Sequence, residues 1–280
     1  MEMNYTVQRY AATRPWTRRV GQLYAQAVQL ETAEQEVADL TRRELERAAQ
    51  VYPAAALRIE SEQQLARAFG LFCRHGRLVA HLEDGLTQAL AHTRVPAHLP
   101  ERLCLPADAF YLHIADRDGG GALLMHHAAD GAVELLLMRG DFSRAGTDWL
   151  TDAGDTLSLS LSYPGELSTV VAGVEAAWQP LLLAVLNTLA LMTQPRLQLV
   201  RGWEAAAPEP ALALAMHPSC AKSRQKGRSQ LLKAGYQEVS YCRMDGVSLS
   251  MSDYASQGYW RRQALNDAQG GSRLVWVMPR

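Results

Sequence analysis

The sequence predicts an α+β fold: a helical N-terminal region followed by a mainly antiparallel sheet backed by a long helix. Three observations carry this. Residues 17–50 contain no Pro and a single Gly, Gly21, and are rich in the strong helix formers Ala, Leu, Glu, Gln and Arg. Beyond Pro106 the apolar period shortens to two, most clearly where Leu157, Leu159, Leu161 and Tyr163 alternate with Ser158, Ser160 and Ser162. A strongly apolar helical run, residues 181–192, then supplies the element that covers the sheet.

Taken in order, Val20, Leu23, Tyr24, Ala27 and Leu30 recur at helical spacing, with Pro15 ahead of them and Pro53 past the end. A second helical stretch covers residues 61–92. Ser61 and Gln64 give it a capping-box pattern, and Leu65, Phe69, Phe72, Leu82, Leu86 and Leu90 its apolar side. Gly70 and Gly76 are the points where it can divide. Residues 95–100 read as a linker, which splits the chain into a helical region, 1–100, and an α+β domain, 105–280. Residues 110–115, 122–128 and 133–138 are strand candidates, joined through Gly119-Gly120-Gly121 and the hairpin signal Asp130-Gly131. Such short turns favour antiparallel pairing. Residues 156–163 form the fourth strand, and 168–192 are helical, kinked or divided at Pro180 and ended by Pro195. Residues 205–210 are a connection. Further strand candidates lie at 236–242, 247–251 and 274–278.

The 280 residues carry 28 Lys+Arg against 29 Asp+Glu, a net charge of −1, and 48% are hydrophobic. That excludes a wholly basic nucleic-acid coat and an acidic disordered chain. The sum conceals a split. Residues 211–280 hold ten basic and four acidic side chains, a net of +6, which leaves −7 on residues 1–210. Lys222, Lys226 and Lys233 are the only lysines. The 12 residues of the 181–192 run fall short of the roughly 20 needed to span a bilayer, so no membrane role is expected. The start of the chain lacks the apolar core of a signal peptide. Cys73, Cys104, Cys220 and Cys242 are widely spaced and form no C-x-x-C pair. They read as reduced thiols of a cytoplasmic protein rather than zinc ligands.

Two clusters stand out chemically. Lys222, Arg224, Lys226 and Arg228 place four cations in seven residues with polar donors between them, a loop or helix end able to neutralise phosphates; the alternative is an ordinary solvated segment. Near the C-terminus come Gly258, Tyr259, Trp260, Arg261, Arg262 and Gln263, then Gly270, Gly271, Ser272, Arg273 and a strand containing Trp276. Arginines beside aromatic rings can stack on bases or pair with phosphate. Trp276, inside an apolar strand, reads better as a core anchor. His126 and His127 fall on opposite faces of a strand and cannot simply share a metal. His113 with Asp116 and Asp118 has only loose metal-like chemistry. No G-x-S-x-G elbow surrounds the serines at 158–162, and the three glycines at 119–121 lack the Lys-Ser/Thr of a phosphate loop. No cofactor or metal is expected.

The C-terminal pattern resembles a known family. Gly258-Tyr259-Trp260-Arg261-Arg262-Gln263 with Leu274-Val275-Trp276-Val277-Met278-Pro279 is similar to a Gly-His-Trp-Arg-x-Gln segment and final Leu-Ile-Trp-Ile-x-Pro strand of phage and plasmid proteins. Leu183-Ala184-Val185-Leu186-Asn187-Thr188-Leu189-Ala190-Leu191 is similar to the Leu-Asn-Leu-Leu-Leu-Tyr helix of the same proteins, and Leu105-Pro106 with Phe110-Tyr111-Leu112 to their first strand. The family is a type V-A anti-CRISPR that lowers production of the effector nuclease. The resemblance covers roughly residues 105–280, and Tyr259 stands where the family has His. It implies a mobile-element protein acting in the bacterial host cytoplasm on effector synthesis, near the message, the ribosome or the nascent chain, with the CRISPR effector as a further partner. The surface expected to carry this comprises Lys222, Arg224, Lys226, Arg228, Tyr259, Trp260, Arg261, Arg262, Gln263 and Arg273. Two alternatives remain: a metal-independent ribonuclease using His113, His126 or His127 with Arg261, and a non-catalytic protein-interaction module.

Overall fold

The computed structural model describes residues 5–277 apart from 83, 100–102, 104, 115–119, 128–130, 143, 145–147, 152–153, 163–164, 195–196, 245–257 and 265–271. Several sequence expectations lie outside these residues: Cys104, Asp116, Asp118, the strand at 247–251, the Gly270-Gly271 turn, and Met278-Pro279.

The N-terminal helices are α1 (Thr6–Thr13), α2 (Thr17–Gln26), α3 (Leu30–Ala49) and α4 (Ile59–Arg74). Gly70 does not break α4. A Cβ there would meet the Tyr24 ring at 2.2 Å, so the glycine lets α2 press against α4. Ser61 lies inside α4, where its hydroxyl donates to the Arg58 carbonyl instead of forming the expected cap. The stretch does end near Gly76, whose φ of +92° suits glycine. It is followed by a strand, β1 (Val79–Leu82), rather than more helix. Four residues, three of them buried and apolar, have no period long enough to separate a core strand from a helix. Helix α5 (Asp84–Ala91) then crosses to β2 (Ala109–His113).

Strands β3 (Gly121–His127), β4 (Ala132–Arg139) and β5 (Asp155–Leu161) continue as the antiparallel meander the alternation predicts. Of the two alternatives for residues 168–192 the chain takes division, into helix α6 (Leu167–Ala172) and helix α7 (Gln179–Leu191), with Pro180 in the first turn of α7, where its missing N–H costs nothing. An unexpected edge strand, β6 (Leu197–Trp203), leads to α8 (Glu209–Ala215), then α9 (Ala221–Lys233) and β7 (Glu238–Met244). A separate two-stranded hairpin, β8 (Tyr259–Ala264) and β9 (Ser272–Val277), completes the described chain.

The seven-stranded sheet runs β5-β4-β3-β2-β1-β7-β6. β1 is parallel to β2 and to β7, and the other pairings are antiparallel. The α+β reading therefore holds, but β1 puts residues from the helical region into the middle of the sheet of the second, so regions 1–100 and 105–280 share one sheet. Val79, Tyr111, Leu123, Leu136 and Val239 face α1–α4. Ala80, Leu112, Leu124, Leu135 and Cys242 face the opposite way, toward α5, α7 and Trp276 of the hairpin. Among the described residues, no helix is long and apolar enough to cross a membrane.

Candidate nucleic-acid interface

The basic segment is helical. In α9, Ser223, Gly227 and Leu231 recur at i, i+4 and turn inward, and Leu231 is fully buried. A Cβ on Gly227 would meet the Ala215 backbone nitrogen at 2.3 Å and the Ala211 carbonyl oxygen at 2.8 Å, so glycine lets α9 lie directly on the α8 backbone. This fixes which way the cations point. At 100° per residue, Lys222, Lys226 and Lys233 fall within about 40° of each other. All three are exposed.

Arg224 and Arg228 lie on the other flank and are held by the protein. Arg224 donates to the carbonyls of His217 and Pro218, both at 3.0 Å, and Arg228 pairs with Glu238 at 2.9 Å. The three lysines have no ion-pair partner among the described residues. At the N-cap of α9 the Cys220 thiol is held below its ordinary pKa, chiefly by hydrogen bonding with Ser223, with Lys222 and Arg224 assisting. The first turn of the helix thus favours negative charge, as helix N-termini do.

The hairpin sorts its residues by strand alternation. Trp260 lies opposite Trp276, and Arg262 opposite Leu274, on one face; Tyr259, Arg261, Gln263 and Arg273 share the other. Trp276 is buried, and its Nε1 donates to Thr93 Oγ1 at 3.3 Å. Trp260 also turns inward: its Nε1 donates to Asn187 Oδ1 at 2.8 Å, and its ring packs on the core. The structure thus places Trp260 on the inward face of the hairpin, in the position of an anchor. Gly258 belongs to the same anchor, because a Cβ there would meet Trp276 Nε1 at 2.5 Å.

Asn187, fully buried in α7, also donates to the carbonyls of Leu90 at 2.9 Å and Thr93 at 2.7 Å. It thus ties three parts of the chain together. Tyr259, Arg261, Arg262, Gln263 and Arg273 remain exposed, and Gln263 Oε1 accepts from Arg273 at 3.2 Å. No described hydrogen bond or ion pair joins the α9 cations to those of the hairpin.

The histidines do not assemble with Arg261. His113 belongs to the sheet face covered by α1–α4, across the sheet from the hairpin. His81 and Tyr5 rings lie 5.0 Å from its ring, centroid to centroid. Tyr5 Oη is 3.2 Å from His81 Nδ1. Burial, then the neighbouring His81 and Arg9, lower the His113 pKa to about 3, which keeps it neutral and a poor proton donor. His127 sits 3.3 Å from Glu134, which also takes Arg67 at 2.6 Å. His126 lies on the opposite face of β3, as alternation requires, with no hydrogen bond or ring contact to Arg261 among the described residues. The same residues contain no group of three or more His, Cys, Asp or Glu able to hold a metal ion. Cys73, Cys220 and Cys242 are free thiols.

Sequence reasoning missed the Tyr5–His81–His113 cluster, since it depends on the parallel register of β1 with β2. Compared with known proteins, the chain matches no family model, no curated protein and no solved structure.

Proposed function

We propose that the chain is a binding regulator, encoded by a mobile element, that reduces production of a host defence nuclease by contacting RNA or the ribosome and nascent chain through its C-terminal cations. The observation that carries the reading is the lysine stripe of α9. Every lysine of the chain lies on one exposed flank of one helix, while the neighbouring arginines are occupied by protein groups. Neutralising phosphates needs such unpaired, solvent-facing cations and no base-reading geometry. The anti-CRISPR part of the reading rests on the resemblance, and the contact between the buried Asn187 and the half-buried Trp260 supports it by giving two of the resembling segments a shared structural purpose.

The test is co-expression with a type V-A effector, with effector protein and transcript both measured. Reduced effector levels that recover when Lys222, Lys226 and Lys233 are changed to Gln support the proposal. Unchanged effector protein and transcript refute the anti-CRISPR reading. Loss of effector without any RNA or ribosome binding by the pure protein refutes the route.

A further inference from the structure

Three donor side chains meet where the start of α1 lies on the sheet. We propose that Tyr5, His81 and His113 hold one tetrahedral divalent metal ion of the zinc type, a site separate from the cationic surface of α9 and the hairpin.

The fold brings the three together in register. β1 and β2 run parallel with His81 directly beside His113, so alternation puts both on one face of the sheet. Tyr5 is the N-cap of α1, and its backbone N–H donates to Gln8 Oε1 at 3.3 Å, which fixes where the ring enters. The Tyr5 ring stands edge-on to those of His113 and His81, at 5.0 and 5.9 Å. Tyr241, beside His81 on β7, packs on the His81 ring at 5.6 Å and donates its hydroxyl to the Trp203 carbonyl at 3.0 Å. Ligands braced in this way are oriented before an ion arrives.

The spacing fits one ion. Zinc binds an imidazole nitrogen at about 2.0–2.1 Å, which puts it about 3.2 Å from the ring centre, so two rings at the tetrahedral angle stand about 5.2 Å apart. Those of His81 and His113 are 5.0 Å apart. A nitrogen and an oxygen on one tetrahedral ion are about 3.3 Å apart. His81 Nδ1 and Tyr5 Oη are 3.2 Å apart. Independently, His113 is only 9% exposed, and its Nδ1 is closed to water with no hydrogen-bond partner among the described residues. A buried polar atom in that state is costly, and a metal ion would satisfy it. On binding, each imidazole gives a nitrogen lone pair and Tyr5 releases its phenolic proton to solvent.

The donors select the ion. Calcium and magnesium take about six or more oxygens, whereas two of these three donors are nitrogens. Imidazole suits zinc, copper and nickel, and tetrahedral spacing disfavours square-planar copper or nickel. The third donor is a phenol, so no third His, Cys, Asp or Glu is needed. The nearest fixed charges oppose each other: Arg9 acts on His113 and Glu204 on Tyr5. Arg243 acts on Tyr241, which is not a ligand. Glu204 is committed elsewhere, its Oε1 accepting from the Gln8 side chain and from the Gln237 N–H at 2.8 Å. His81 is half-buried, and from its side a water completes the fourth position.

The experiment titrates the full chain carrying Cys220→Ser, because Cys220 lies beside His217 and that pair could take up metal adventitiously. One equivalent of Co²⁺ should give the intense visible absorption of a tetrahedral ion, without a sulfur charge-transfer band. Zn²⁺ should displace it, and Mg²⁺ or Ca²⁺ in roughly hundredfold excess should not. Tyr5→Phe, which keeps the ring, and His81→Gln, at a half-buried position, should each weaken Zn²⁺ binding at least about tenfold with unchanged circular dichroism. Zn²⁺ should raise the urea midpoint of the parent chain and leave that of His81→Gln where it was. An octahedral or absent Co²⁺ spectrum, a sulfur charge-transfer band, or full Zn²⁺ affinity in either variant overturns the proposal.

Discussion

Removing the Asn187 side chain should detach the hairpin energetically from the body of the protein. In Asn187→Ala the carbonyls of Leu90 and Thr93 each lose a buried donor and the half-buried Trp260 Nε1 loses its acceptor. Leaving a buried polar group unpaired costs about 1–3 kcal/mol and a typical net hydrogen bond is worth about 1 kcal/mol, so the three together should lower the unfolding free energy by about 3 kcal/mol. Trp260→Phe removes only the N–H while keeping most of the ring's packing, and so isolates one of the three. A double-mutant cycle of the two substitutions, read from urea unfolding followed by circular dichroism, should give a coupling of about 1 kcal/mol. A loss below about 0.5 kcal/mol in Asn187→Ala, or additive single effects, would refute the assignment of Asn187 and Trp260 as the clasp between α7 and the hairpin.

Replacing Lys222, Lys226 and Lys233 by Gln should flatten the salt dependence of binding to single-stranded RNA, reducing the log–log slope by about 2 with no change in circular dichroism; an unchanged slope removes the stripe from the interface. Arg261→Ala and Arg262→Ala should differ, because the two side chains leave β8 on opposite faces; Arg261, beside Tyr259, Gln263 and Arg273, should cost more RNA affinity, and equal effects in filter binding would contradict the hairpin register. Gly227→Ala, which in an ordinary helix would stabilise by roughly 1 kcal/mol, should instead destabilise here, since the methyl meets α8 backbone at 2.3 Å; a raised melting temperature would refute the close approach. His113, with its folded pKa lowered to about 3, binds its proton in the unfolded chain first. Its contribution to stability is therefore complete above an unfolded pKa of about 6.5 and lost as pH falls toward 3, so His113→Phe should flatten the acid limb of a stability–pH curve; parallel curves would place the acid sensitivity elsewhere.

Much of the sheet was legible because a period of two survives in it. Leu157, Leu159 and Leu161 against Ser158 and Ser160 describe β5 directly, an edge strand with one covered face. Pro180 at the start of α7 was equally readable, since proline belongs in a first helical turn. β1 escaped because both its faces are covered and four residues leave no alternation to detect. β6 escaped for the opposite reason: Gln198, Leu199, Val200 and Arg201 are all exposed, so no buried face imposed a pattern on its sequence. The lysine stripe was present as spacings of four and seven, but its meaning required knowing that Gly227 turns toward α8 and that Arg224 and Arg228 are already engaged. Contacts between distant segments left no local trace. Asn187 and Trp260 are 73 positions apart, and only the folded chain brings the amide to the indole.

That contact changes how the C-terminal pattern is to be understood. Its most distinctive residues divide into two sets. Gly258, Trp260 and Trp276, together with Asn187 in α7, close the hairpin onto the body: the glycine makes room for an indole, and the two indole N–H groups end on Asn187 and Thr93. Tyr259, Arg261, Gln263 and Arg273 face away and contribute no such closure. A resemblance carried by the first set reports a way of building the domain, because those residues answer to packing and buried hydrogen bonds. What the domain does must be decided by the second set, free to change without cost to the fold. Tyr259, at the position where the proposed family pattern has His, belongs to that outward set and is half exposed at 52%. Tyr259→His therefore leaves the clasp intact while altering the surface, so its effect on effector levels, at unchanged stability, tests the proposed function at the outward face separately from the packing of the hairpin.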